Sequence, residues 1–320
     1  MELRLTTDAF VRLIASPTAV DELGSEQGGL IVLEDDPSGP PVAVPPLLGA
    51  VVVRVSPQGD PSAAGGADLA SAAAGLDAIC DAVARNPQAA TSLAVLLRGA
   101  DGRTVADGLH AESAVYGVLQ GGAEFSRWRH DHPVRHPTSL SDDPVTVARE
   151  GDALTVVLAR PDLRNALDAT MRDALASALL VALEDPKIRV EVRGAGASFC
   201  SGGYLDEFGT RLDPAVAHLV RLSRSLGWML HQLSARTHVH VHGPSRGSGV
   251  ELAAFAARVT AAPDATFGLP EVAMGLIPGS GGTVSLPRRI GRARTAWLAL
   301  SGAVIDAPTA LAWGLIDEIT

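Results

Sequence analysis

Apolar and polar positions follow two different rhythms along this chain, and the change falls near residue 144. Beyond it, "VTVARE" and "ALTVVLAR" are short β-branched runs joined by Gly151 and Asp152, the pattern of a hairpin. "DATMRDALASALLVALED" carries apolar residues at helical spacing, with Asp168 placed to cap its start. "IRVEVRG" predicts a strand and is followed by a glycine-containing loop, "AGASFCSGGYLDEF". "PAVAHLVRLSRSLGWMLHQLS" predicts one long helix, and "THVHVH" a further strand. Strands alternating with helices predict stacked βα units rather than a sandwich, so the fold class is α/β.

Before residue 140 the pattern differs. "GLIVLED" and "LLGAVVVRVS" predict two buried strands separated by a Pro/Gly-rich connection. "GADLASAAAGLDAICDAVARN" predicts a helix that Asn86 caps and Pro87 stops. "PQAATSLAVLLR" and "VADGLHAESAVYGVLQ" predict two more, the second closed by Gly121 and Gly122. "RHDHPVRHPTSLSDDP" has no periodicity and marks a boundary between an N-terminal region, residues 1–140, and a second unit, residues 141–320. No repeat of a few dozen residues is visible.

Composition narrows the classes. A chain of 320 residues can bury a sizeable core. A net charge of −10, with Lys187 the only lysine, argues against a nucleic-acid surface, which needs a clustered basic face. It leaves room for an anionic small ligand held by a few arginines. "MELRLTTDAF" lacks the features of a secretory signal, and "PPLLGAVVVRV" is too short and proline-broken to cross a bilayer. Cys80 and Cys200 have no motif spacing; a cytoplasmic compartment with both thiols buried is expected. No histidine near Cys200 in sequence equips it as a nucleophile.

Histidines raise the question of a metal. In "THVHVH" the period of two sends His238, His240 and His242 to one face and Val239 and Val241 to the other. Such a face can bind a metal or form one wall of a packed layer. No H-E-x-x-H or cysteine pair accompanies it, so packing is expected and no metal. His130, His132 and His136 fall in the boundary segment and read as solvated.

The glycine turns and carboxylates are more informative. In "GPSRGSGVEL", Gly247, Ser248 and Gly249 let the main chain run bare into a helix N-terminus, where free amides can receive negative charge. "FCSGGYL", with Gly202 and Gly203, is a second such turn. Two bared amides that converge make an oxyanion hole, each donor being worth about 3 kcal/mol in a transition state. Glu251 lies one helical turn past Ser248 among apolar neighbours, and Glu271 follows Pro270 in an equally apolar stretch. Desolvation should raise both carboxyls and equip them as general acid and base. The plain alternative is that each caps a helix or pairs with Arg246, Arg288 or Arg289.

With these residues in view, residues 144 to 320 resemble the crotonase (enoyl-CoA hydratase/isomerase) superfamily. "RPDLRNALD" looks like its CoA-contacting loop, "SFCSGGYLDEF" its first oxyanion loop and "HGPSRGSGVELA" its second. "FGLPEVAMGLIPGSGGTVSLPRRIG" and "ALAWGLIDEI" are similar to its later stretches. The resemblance implies a ββα-spiral core beside a mixed, mainly helical N-terminal region. It implies an acyl-CoA thioester whose oxygen sits between the amides of Gly203 and Ser248, with Glu251 and Glu271 as the hydratase glutamates. Substrate contacts fall by the same resemblance on Arg164, Ala166, Leu167, Ser201, Gly203, Tyr204, Leu205, Asp206 and Ser248. Ser248 stands where the family usually has glycine, and Gly279 where its dehalogenase branch has an aspartate nucleophile. Tyr204 stands where many members have aspartate and should alter the acyl pocket.

No cofactor is implied, coenzyme A being part of the substrate, and a trimeric or hexameric homo-oligomer without a membrane partner is implied. The family continues past "WGLIDEI" with helices that cover the CoA. Here "LDAICDAVARNPQAATSLAVLLR" and "GLHAESAVYGVLQGGAEFSRW" look like that segment moved to the front. Residues 66–130 are therefore either a transposed cover or part of an unrelated domain. The expected function is an enoyl-CoA hydratase, with a double-bond isomerase and a non-catalytic acyl-CoA-binding or assembly subunit as alternatives. Two carboxylates beside an oxyanion hole speak against the last.

Overall fold

The computed structural model describes residues 2–23, 28–34, 41–57, 59–135, 143–210 and 213–320. His136 and the rest of residues 136–142 lie outside them, so the expectation for that histidine is not addressed. The second half is built on two sheets. The hairpin Val145–Glu150 and Ala153–Leu158 forms one edge of a six-stranded sheet. Arg189–Gly194, Thr237–Val241, Arg258–Ala261 and Glu318–Ile319 then add in parallel, in that order. A smaller sheet holds Pro244–Arg246, Thr266–Gly268 and Ile305–Asp306. Successive passes of the chain feed both sheets: Thr237–Val241 leads into Pro244–Arg246, and Arg258–Ala261 into Thr266–Gly268. Gly243 turns the first of these corners at φ +52, and a Cβ there would lie 2.2 Å from the Ala197 carbonyl oxygen. This is a spiral of ββα turns.

The N-terminal region holds more strand than its pattern predicts. Glu2–Leu5, Leu30–Leu33, Val51–Val55 and Leu69–Ser71 make a four-stranded parallel sheet in sequence order. Its two central strands are apolar at nearly every position because both faces are covered. Leu30, Val32, Val51 and Val53 join the main core, while Ile31, Leu33 and Val52 join a smaller cluster around Phe10. The stretch expected as one helix from Gly66 is therefore a strand followed by the helix Ala73–Arg85. Pro87 ends nothing by itself: it is the first residue of the helix Pro87–Arg98, where its missing N–H has no partner to lose. Val105–Gln120 is helical as read, and Ala123–Asp131 is a further helix running into the segment expected to be structureless.

One other expectation is corrected. The long helix after residue 213 is two, Pro214–Ser223 and Leu226–Leu233, because Ser225 leaves helical geometry and accepts the Trp228 amide through its hydroxyl.

The helices of the N-terminal region pack on the spiral. Ala73–Arg85 and Pro87–Arg98 lie on Arg292–Ser301, and Val105–Gln120 lies on Pro214–Ser223 and Gly282–Ile290. Leu93, Leu97, Leu119 and Phe125 are buried in one cluster with Val284, Leu286 and Leu298. Approach is close: a Cβ on Gly108 would meet the Val284 side chain at 2.8 Å. The Asn86 side chain, 3% exposed, donates to the Val272 carbonyl at 2.8 Å.

Candidate active site

Two glycine loops meet because the main chain bonds them together. Arg246 donates its amide to the Cys200 carbonyl at 2.9 Å, the Leu167 amide donates to the Gly202 carbonyl at 2.8 Å, and the Tyr204 amide donates to the Leu167 carbonyl at 2.9 Å. The buried Asn165 amide group donates to the carbonyls of Ala195, Ser198 and Phe199, clamping the first loop from below. Asp168 caps the helix Ala169–Glu184 through the Met171 amide and forms a buried ion pair with Arg160. Gly247, at φ 46 and ψ −119, opens the helix Ser248–Ala253. A Cβ there would lie 2.4 Å from Glu271 Oε1, so only glycine fits. Among the described residues, neither the Gly203 nor the Ser248 amide has a hydrogen-bond acceptor. Both residues line a cavity of about 360 Å³ together with Leu167, Glu251 and Glu271.

Both glutamates are buried, Glu251 at 1% and Glu271 at 6% exposure. Glu251 Oε2 accepts the amides of Ser280 at 2.7 Å and Gly282 at 2.9 Å, and the Ser248 hydroxyl meets that of Ser280 at 2.7 Å. Glu271 Oε2 is buried without a hydrogen-bond partner among the described residues. Burial raises Glu251 well above the ordinary 4.5, helped by the neighbouring Glu271 and Glu112. Burial likewise pushes Glu271 up to about 8. Among the described residues, neither forms an ion pair with an arginine. Arg246 serves Ser245 and Thr266, Arg288 serves Val284 and Arg103, and Arg289 serves Ala256, Leu315 and Asp317. Helix capping does apply to Glu251, since Gly282 begins the helix Gly282–Ile290.

The remaining candidates, Arg164, Ala166, Ser201, Tyr204, Leu205 and Asp206, do not line this cavity. Arg164 is exposed in left-handed geometry at φ 51, and its carbonyl accepts the Ser201 amide. Ala166 is buried, and Ser201 reaches back toward the Leu163 carbonyl. Leu205 is 46% exposed and Asp206 accepts the Arg135 amide. Tyr204, expected to alter the acyl pocket, is not among the residues lining this cavity. The tyrosine in the wall is Tyr116, from the helix Val105–Gln120, with its ring against Gly279: a Cβ on Gly279 would meet that ring at 2.6 Å. Position 279 therefore has no space for a nucleophilic side chain. Arg221 lies over the Tyr116 ring, 4.7 Å from its centroid, and Gln120 and Phe208 also line the cavity.

The histidines diverge. His238 and His240 share Thr260 Oγ1 at 3.1 and 3.0 Å, with ring centroids 3.8 Å apart. His242 pairs with the Gly196 carbonyl at 2.9 Å. Burial, then His238 and Arg193, push His240 down to about 4, and burial lowers His238 as well, so protonation of these rings is disfavoured. Among the described residues no three potential metal ligands converge. His132 lies on the Trp128 ring, 4.7 Å away. Cys200 is buried, and burial raises its thiol to about 11; Cys80 is half-buried rather than buried.

Two amides without an acceptor among the described residues and two buried carboxylates thus line one cavity on a ββα spiral. A family model described as enoyl-CoA hydratase/isomerase matches residues 149–320. An enoyl-CoA isomerase/hydratase of Mycosarcoma maydis is 34% identical over 177 residues, covering 51% of this chain and 64% of that protein. The chain thus spans less than two thirds of that relative. A 2,3-dehydroadipyl-CoA hydratase of Escherichia coli is 33% identical over 54% of this chain and 68% of its own length. The crystal structure of an enoyl-CoA hydratase from Thermoplasma volcanium superposes with a TM-score of 0.51 at 34% identity, covering 55% of this chain and 71% of that one. The chain belongs to the enoyl-CoA hydratase/isomerase family of the crotonase superfamily.

Proposed function

We propose that the protein is an enoyl-CoA hydratase. The observation that carries this reading is the pair of buried carboxylates, Glu251 and Glu271, on the same cavity as the free amides of Gly203 and Ser248. The two amides receive the thioester oxygen and hold it as charge moves onto it. Two close carboxyls in an apolar setting share at least one proton near neutrality. Burial and the neighbouring carboxyls oppose charge on Glu251 as well, but the amides of Ser280 and Gly282 offset this only there. Glu271 has an oxygen without a partner among the described residues, and on that difference we place the shared proton on Glu271. Glu251 then takes a proton from water as its oxygen bonds to the β-carbon, and Glu271 gives its proton to the α-carbon. The thioester carbonyl re-forms, and proton transfer between the two carboxyls resets the pair. No further cofactor enters this scheme, and self-association as a trimer or hexamer belongs to the same proposal.

The test is a panel of enoyl-CoAs in ¹⁸O-labelled water, with hydration and double-bond migration followed separately by mass. Label in a 3-hydroxyacyl product supports the reading. Migration without label makes the protein an isomerase, and neither product on any substrate leaves it a binding subunit.

A further inference from the structure

Four consecutive amides at the start of the helix Gly282–Ile290 are divided between two buried carboxylates. Ser280 and Gly282 donate to Glu251. Gly281 and Thr283 donate to Glu112, at 2.6 and 2.8 Å, and the Thr283 hydroxyl adds a third bond at 2.7 Å. Glu112 comes from the helix Val105–Gln120 and is 2% exposed. We propose that Glu112 is a positioning residue for Glu251: by gripping alternate amides of the 280–283 turn, it fixes the two that hold the Glu251 carboxylate. This rests on Glu251 being a catalytic carboxylate, as proposed above.

Apart from Glu251 itself and the hydroxyl pair of Ser248 and Ser280, the 280–283 turn is held by its bonds to Glu112. Gly281 sits at φ +102, in a conformation its own side chain does not restrict, and a Cβ on Gly282 would strike Glu251 Cγ at 2.6 Å. Amides at a helix start have no intrahelical acceptor, so their direction depends on the groups outside the helix. A buried carboxylate is costly unless its lone pairs are used, and Glu112 uses both oxygens on this one turn. Tyr116 stands one helical turn further along the same helix and lines the cavity. A shift of this helix would therefore move the turn and the cavity wall together.

Amide exchange and a double-mutant cycle test the proposal on the full chain. In Glu112→Gln, exchange at Ser280 and Gly282, whose amides bond to Glu251 and not to residue 112, should accelerate by about tenfold or more as the turn opens locally. On the best enoyl-CoA, kcat should fall about tenfold with KM within about twofold, and the same change in a Glu251→Gln background should cost nothing further. Thr283→Val, which removes one of the three bonds, should give smaller changes of the same sign, and it serves if Glu112→Gln does not fold. The proposal is overturned if Ser280 and Gly282 keep their protection while Gly281 and Thr283 lose theirs. It is equally overturned if kcat is unchanged, or if the full loss recurs without the Glu251 carboxylate. Should the wild-type protein hydrate no enoyl-CoA, the hydratase reading has failed, and the exchange rates alone decide the role of Glu112.

Discussion

Glu251 and Glu271 differ in what surrounds them, and that difference sets distinct expectations for each. Glu251→Gln and Glu271→Gln should each lower hydration turnover by roughly a hundredfold or more, the scale of general acid–base catalysis. Acyl-CoA affinity should persist, because the Gly203 and Ser248 amides are untouched. Full turnover in both variants would remove the assignment; loss in Glu271→Gln alone would indicate isomerisation. Burial also links these groups to stability. A carboxyl raised from 4.5 to about 8, as for Glu271, is protonated in the folded state while still charged in the unfolded chain. Its contribution is complete below about 4.5 and is lost as pH rises through about 8. Glu112, raised to about 7 by burial, acts in the same direction. Melting temperature should therefore fall from pH 5 to pH 8, and Glu271→Gln should flatten that slope. An unchanged slope in the variant would show that Glu271 does not carry the effect. The two catalytic candidates were legible because each carboxylate interrupts an apolar stretch beside a glycine turn. Glu112 has a similar signal, lying with Leu109, Tyr116 and Leu119 on the buried side of its helix. Reading that helix as a cover hid the carboxylate, since its partners are 169 and 171 residues away.

Elements were legible where one local rule decided them and less so where two competed. The alternation in Thr237–Val241 placed Val239 and Val241 in the core and left the histidines to Thr260 and the Gly196 carbonyl. The break between Pro214–Ser223 and Leu226–Leu233 was hidden because apolar spacing continues across it. The deciding residue is Ser225, whose hydroxyl offers the chain an alternative to continuing helix. Ser225→Ala should lower unfolding free energy by about 1 kcal/mol, as for other N-caps. A denaturant titration showing no loss would mean that the break is imposed by packing rather than by the cap. Glu2–Leu5 and Leu69–Ser71 were missed for a different reason. Three or four residues are too few to show a period, and these strands exist because they complete a sheet around Leu30–Leu33 and Val51–Val55.

At the scale of the molecule, the main core has contributors on both sides of residues 136–142. Residues 144–320 alone would lay bare the faces of Gly282–Ile290 and Arg292–Ser301 that Leu93, Leu97 and Leu109 otherwise share with Val284, Leu286 and Leu298. They would also lack Glu112 at the 280–283 turn and Tyr116 in the cavity wall. A contiguous apolar surface of that kind drives association, so this fragment should aggregate or fail to bind acyl-CoA. Residues 1–140 supplied as a separate chain should restore a soluble complex, since burial of those faces is what the fragment lacks. Restoration should be concentration-dependent and weaker than in the intact chain, because covalent linkage raises the effective concentration of the cover. Light scattering and acyl-CoA binding, measured on the fragment with and without the added chain, check this directly. A monodisperse 144–320 fragment with full turnover would show that the N-terminal region folds beside the spiral without completing it. The pairing of Glu112 with the 280–283 turn would then lose its purpose.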